Sequence, residues 1–192
     1  MTSAASTPKG ERRRAALVAA AAQLLAEGGF EAIRHRAVAE RAELPLASTT
    51  YYFDSLDDLI YAAAEHHGRS ELEKGRTQLA QLSVDRRGVG TLVELVLDQL
   101  LGSDPSYEAV LLRYERLVAT GRRPYLRPLM RTLAGELREL LTAIFVRSGT
   151  SIDPQRLDRL IALVDGTVVN ALIAVDPDPR GLAARRLHAE LA

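Results

Sequence analysis

Apolar residues recur at helical spacing along nearly the whole chain. Between Arg12 and Glu27 the positions Leu17, Ala20, Ala21, Leu24 and Leu25 form an i, i+3, i+4 stripe, and Gly28-Gly29 ends it. A shorter pattern over Arg34 to Ala42 sets Ala37, Val38 and Ala42 on one side of a helix of about two turns, stopped at Leu44-Pro45. From Leu56 to about Leu82, Leu59, Ile60, Ala63, Leu72, Leu79 and Leu82 predict a long helix that Gly68 and Gly75 weaken. Its start pairs Ser55 with Asp58, the spacing of a capping box, and its acids suit a helix N-terminus. Breaks at 85–90, 102–105, 121–124, 148–154 and 176–179 divide the remainder into further helical blocks. Strand alternation and internal repeats are absent from the sequence, so the expectation is an all-α chain of about nine helices.

One segment resists this pattern. Residues 44–53 read LPLASTTYYF, a strand-like composition inside a helix-forming neighbourhood. A lone strand would leave its backbone groups unpaired, so a short helix from about Pro45 to Phe53 is expected, with Pro45 tolerated in the first turn. Leu46, Thr49 and Phe53 then share one side. Ser48, Thr50, Tyr51 and Tyr52 project elsewhere and present hydroxyls outward.

Composition narrows the function. The 192 residues, 47% of them hydrophobic, suffice for a buried core. Cysteine is absent, which excludes disulfides and thiolate metal sites and points to the cytoplasm. Met1 to Gly10 is small and polar, expected to be a disordered arm over 1–9, and no run reaches the length of a membrane span. Basic and acidic residues balance at 25 each, so an argument for nucleic acid has to rest on geometry rather than net charge. The four histidines, His35, His66, His67 and His188, fall in no metal-binding arrangement, and P-loop, nucleophile-elbow and dinucleotide motifs are missing. The expectation is therefore no enzyme and no cofactor.

Two short helices joined by a tight turn, the second bearing outward polar groups, follow the plan of a helix-turn-helix. The residues from Arg12 to about Ala64, ALVAAAAQLLAEGGFEAIRHRAVAERAELPLASTTYYFDSLDDLI among them, resemble the DNA-binding domain of the TetR family of transcriptional regulators. The resemblance implies a DNA-binding domain over 10–55, linked through helix four at about 56–82 to a ligand-binding and dimerisation domain over 56–192. By position, Arg34 and His35 take the places of phosphate contacts and Arg36 a place from which a guanidinium reaches a base edge. On the recognition helix, Leu46, Ala47, Ser48, Thr50, Tyr51 and Tyr52 match positions that face DNA. There are departures. Ala42-Glu43-Leu44-Pro45 replaces the usual Ala-Gly-Val-Ser turn, and Leu56 stands where a phosphate-binding lysine is frequent, shifting electrostatic weight to Arg12, Arg13 and Arg14 as a flexible arm.

The resemblance further implies a homodimer on a palindromic double-stranded operator, released by a small-molecule effector, with repression the family default. The block 157–175 is apolar nearly all round from Leu160 to Val175, and Leu160, Val164, Val168, Ala171 and Val175 are the candidate dimer positions. A partly apolar effector would meet Tyr107, Arg113, Tyr114, Phe145, Asp165 and Asn170. The competing readings are a ligand-independent DNA-binding dimer and a helical protein-interaction module.

Overall fold

The structure, a computed structural model, describes residues 7–192, and these contain nine α-helices, two short 3-10 turns and no strand. In chain order the helices are α1 (Pro8–Gly28), α2 (His35–Arg41), α3 (Leu46–Tyr52), α4 (Leu56–Gln81), α5 (Val89–Leu101), α6 (Tyr107–Thr120), α7 (Arg127–Arg147), α8 (Pro154–Ile173) and α9 (Pro179–Leu191). The chain forms two compact units. One comprises the N-terminal residues to Ser70 together with 119–127, the other Glu71–Val118 together with 128–192. The division thus falls inside α4, and a loop expected in the larger domain joins the N-terminal unit.

In the N-terminal unit, α1 packs on α2 and α2 on α3. Thr7 caps α1 by accepting a hydrogen bond from the Gly10 amide (3.1 Å), with Pro8 in the first turn. The expected arm is corrected accordingly: Pro8, Lys9 and Arg12 to Arg14 are helical, and the rest of the arm, residues 1–6, lies outside the described residues. Leu17, Leu25, Val38, Leu59 and Ala63 are buried in this unit as the stripes predict. The cap at the start of α4 also forms, the Asp58 amide donating to Ser55 Oγ at 3.1 Å.

In the other unit Leu97, Leu141, Phe145, Val164 and Leu187 lie at the heart of one apolar cluster drawn from α5 to α9 and the end of α4. Gly75 is buried there because Gln99 and Leu140 leave no room for a methyl group. It is therefore a close approach of helices rather than a weak point in α4. Arg180 fastens α9, donating to the Gly102 carbonyl (2.8 Å), Glu94 (3.0 Å) and Asp98 (2.8 Å).

Three helices end in the same way, with a residue in the left-handed region whose successor's amide reaches back five residues. Leu44 bonds Ala39 O at 3.0 Å, Thr150 bonds Phe145 O at 3.1 Å, and Asp176 bonds Ala171 O at 2.9 Å. The left-handed residue is Gly149 (φ 74°) after α7, but Glu43 (φ 54°) after α2 and Val175 (φ 54°) after α8. A side chain in this conformation costs about 1–2 kcal/mol, and the strain at Glu43 sits in the turn of the helix-turn-helix itself.

Candidate nucleic-acid interface

A seven-residue helix has too few hydrogen bonds to hold itself in water, so α3 depends on its packing. Thr49 is wholly buried, its hydroxyl returned to the Leu46 carbonyl at 2.8 Å, and Phe53 is buried immediately after the last turn. The Arg14 guanidinium stands 5.1 Å over the Phe53 ring, which ties α1 to the end of α3. Arg41 grips Glu27 through both nitrogens (3.0 and 2.8 Å), joining the end of α2 to the end of α1 and holding that carboxyl below its ordinary range. The orientation of α3 is set by these contacts.

Opposite Thr49 the helix is open. Leu46 (53% exposed), Ala47, Thr50 and Tyr51 (74%) lie on the surface, and Ser48 and Tyr52 are half-buried. Of the three residues expected to share one side, Thr49 and Phe53 are buried and Leu46 is exposed. Thr50 Oγ1 rests on the Ala47 carbonyl at 3.2 Å, a weak bond that a base or phosphate can replace. Tyr51 and Tyr52 meet edge to face, ring centroids 4.9 Å apart, and the Tyr52 hydroxyl lies over Gly10 at the start of α1. The two tyrosines differ in freedom: Tyr51 points outward and Tyr52 is braced.

The start of α2 adds the positive groups. Arg34 is its N-cap residue, exposed, with Nε on the Glu31 carbonyl (3.2 Å). Arg36 is exposed and paired to Glu40 at 2.9 Å, an i,i+4 contact open to water and of little strength. Its fork can therefore leave Glu40 for a guanine edge. His35 is half-buried, and its Nδ1 is buried without a hydrogen-bond partner.

The same unit contains a cleft of about 750 Å³ lined by the 30–34 connection, the start of α4 and residues 122–125. Arg123 forms one wall: its guanidinium lies 4.1 Å from the Phe30 ring, donates to the Ala119 carbonyl (2.9 Å) and pairs with Glu31 (3.1 Å). The Tyr125 hydroxyl is buried between Asp57 and Arg123, near enough to interact with both but without well-formed hydrogen-bond geometry to either. Burial first, and then that carboxylate, push its pKa up to about 12. Reading the sequence missed this cleft, treating 121–124 only as a helix break. The available signal was Arg122-Arg123-Pro-Tyr125, a basic pair and an aromatic in a loop otherwise free to be polar.

Of the residues expected to meet an effector, three come together in the other unit. Tyr114 Oη donates to Asp165 at 2.8 Å, and Arg113 stands close enough for its charge to bear on both. Arg113 also donates to the Gln99 carbonyl (3.2 Å) and faces Glu71 at 3.7 Å, while its Nε is buried without a partner. Burial lowers the Arg113 pKa against the pull of Glu71, and burial together with Asp165 raises that of Tyr114. Phe145 is sealed in the core cluster, and Tyr107 is half-buried at the start of α6. Asn170 does not join: it is exposed and bonds back to the Gly166 carbonyl at 2.8 Å.

The candidate dimer positions need a larger correction. Leu160, Val164, Val168 and Ala171 are all buried within the protomer's own unit, and Val175 alone is exposed. An all-round apolar helix has two apolar faces, and these four mark the inner one. The outer side carries Ala162, Gly166, Val169 and Ile173, spaced at i, i+4, i+7 and i+11, beside the exposed polar residues Asp158, Arg159 and Asn170, with Ile173 75% exposed. Val146 on α7 is likewise exposed.

Residues 17–63 match the family of bacterial regulatory proteins named for tetR, and residues 87–192, more than half the chain, match the tetracyclin repressor-like C-terminal domain. The chain belongs to the TetR family. Its members are DNA-binding transcriptional regulators, and α2 and α3 are the helix-turn-helix of this one. The multidrug binding protein EbrR, solved with proflavin, is 30% identical with a TM-score of 0.68, covering 94% of this chain and 99% of its own. A TetR-family member from Streptomyces coelicolor A3 is 29% identical with a TM-score of 0.58, covering 91% and 95%. A TetR regulator from Haloarcula marismortui at 17% identity shares the fold, with a TM-score of 0.69 over 94% and 98%. No curated protein matches the chain. Among the described residues no helix is long and apolar enough to cross a membrane.

Proposed function

We propose that this TetR-family regulator reads its operator with the exposed face of α3, held in register by α2, and releases it when a partly apolar small molecule binds the C-terminal unit. Arg34 and His35 hold phosphates, Arg36 reaches a base edge, and Leu46, Ala47, Ser48, Thr50, Tyr51 and Tyr52 present the groove-facing surface. The observation that supports this reading best is the division of α3, with Thr49 and Phe53 buried and hydroxyls and a phenol left to solvent on the other side. A helix whose only buried residue is a threonine contributes little to a core, so its outward chemistry is what distinguishes it.

The working species is a homodimer, because two recognition helices meet successive major grooves and mirror a palindromic site. We assign the contact to the outer face of α8, Ala162, Gly166, Val169 and Ile173. A methyl group added at Gly166 meets nothing within the protomer, so the small residue serves the approach of a second helix. EbrR is solved with proflavin and with ethidium, both flat aromatic molecules. On that likeness the effector of this chain belongs to the same chemical class, and Tyr114, Asp165 and Arg113 supply its polar recognition. Binding shifts the population away from the DNA-competent state, and repression relieved by effector is the action expected.

Selection of duplexes from random DNA tests the reading. The expected result is a palindromic site whose base preference changes at one position with Arg36→Ala and at another with Thr50→Ala, each by about 1–3 kcal/mol. Release of the selected duplex by ethidium, weakened in Asp165→Asn, tests the effector. Unaltered base preference in both DNA variants removes the assignment of direct readout.

A further inference from the structure

We propose that the N-terminal unit carries a binding site of its own, the cleft beside residues 122–125, and that it takes a small amphipathic organic anion of the aryl carboxylate kind. Its volume of about 750 Å³ is that of a small-molecule pocket rather than of a water site. Its floor is apolar: Phe30, Ile33 and Ile60 line it from the buried side. An aromatic ring seated there removes apolar surface from water on both partners.

The polar groups specify the rest. The Tyr125 hydroxyl is buried between the Asp57 carboxylate and the Arg123 guanidinium without well-formed geometry to either, and folded proteins rarely leave a buried hydroxyl so poorly paired. An acceptor atom on a ligand would satisfy it. The sign of the ligand follows from the charges. Arg123 and Glu31 neutralise each other at 3.1 Å, and Arg123 is further committed to the Phe30 ring and the Ala119 carbonyl. That leaves the Arg34 and Arg122 guanidiniums against the single Asp57 carboxylate, an excess of one positive charge around the cleft. Arg34 uses only Nε, on the Glu31 carbonyl, so among the described residues its terminal nitrogens form no hydrogen bond and retain the fork that grips a carboxylate.

One consequence rests on the proposed role of Arg34 at phosphate. A carboxylate that engages this guanidinium competes with DNA for it, so the anion weakens operator binding from within the reading unit, apart from any effector in the C-terminal unit.

The test is a 1H–15N NMR titration of the full chain with 2-naphthoate, and with N-methylquinolinium as a cation of matched size. Naphthoate is expected to give saturable shifts at residues 30–34, 56–60 and 122–125, and the cation markedly weaker ones. Tyr125→Phe is expected to lose about tenfold in naphthoate affinity with little change in thermal midpoint, because the hydroxyl it deletes is only poorly paired in the free protein. Leu56→Trp, which narrows the cleft at its half-buried rim, should weaken the shifts. Absence of saturable shifts at these residues, equal binding of the cation, or undiminished affinity in Tyr125→Phe would overturn the assignment. Naphthoate that binds in the cleft yet leaves DNA retention unchanged refutes the competition for Arg34 and leaves the site standing.

Discussion

Helices α3 and α8 each show a free face, and the two faces differ in kind. On α3, seven residues long, the buried side holds Thr49 and the open side carries Leu46, Ala47, Thr50, Tyr51 and the half-buried Ser48 and Tyr52. On α8, twenty residues long, the buried side is Leu157, Leu160, Val164, Val168 and Ala171, and the open side includes Gly166, Val169 and Ile173. A surface of hydroxyls and phenol gains little by leaving water unless each group finds a polar partner, which a groove edge and a phosphate row supply. An exposed stripe of small and branched apolar residues gains by meeting another of its kind. The pair teaches that what a helix leaves outside separates its partners better than what it buries.

The inner and outer faces of α8 offer the largest test of that contrast. Val168→Asp places a charge inside the core of its unit and is expected to cost about 4 kcal/mol in urea denaturation. Ile173→Asp should leave the protomer folded and instead turn dimers into monomers by light scattering. If Ile173→Asp remains dimeric, the outer face of α8 is not the seam. Next in size is Tyr114→Phe, which leaves Asp165 without its 2.8 Å hydrogen bond and should lower stability by about 1–3 kcal/mol. A smaller effect of opposite sign is expected at the strained turn. Glu43→Gly relieves a left-handed φ of 54° and should raise stability by about 1 kcal/mol, with Val175→Gly behaving alike. Gly149→Ala, at φ 74° and crowded by Arg86, should fall by a similar amount or more.

Legibility in the sequence follows the same contrast. Helices α1, α2 and α4 are legible because each has an apolar stripe and a marked boundary, Gly28-Gly29, Leu44-Pro45 and the Ser55 cap, whereas α3 has no such stripe and follows only from the argument that a lone strand would be unpaired. The left-handed turn at Glu43 is not legible as strain, since a glutamate signals nothing about φ, and the departure from the family's usual turn marks a difference in sequence rather than a strained backbone. For α8 the apolar run gave the helix but not its register. Nothing local distinguishes a residue facing its own core from one facing outward, and Leu160, Val164, Val168 and Ala171 face the core. The Tyr114–Asp165 pair links positions 51 apart, and its members were chosen by chemistry rather than by pattern. The cleft at Tyr125 brings together three separate segments, a juxtaposition that periodicity does not encode.

The central claim is that the exposed side of α3 lies against DNA. The most direct measurement is a 1H–15N NMR titration with a duplex obtained by selection. It is expected to show its largest perturbations at residues 34–36 and 46–52, with Thr50 and Tyr51 moved more than the buried Thr49 side chain. Perturbations concentrated elsewhere, with the amides of α3 unmoved at saturating duplex, would contradict it.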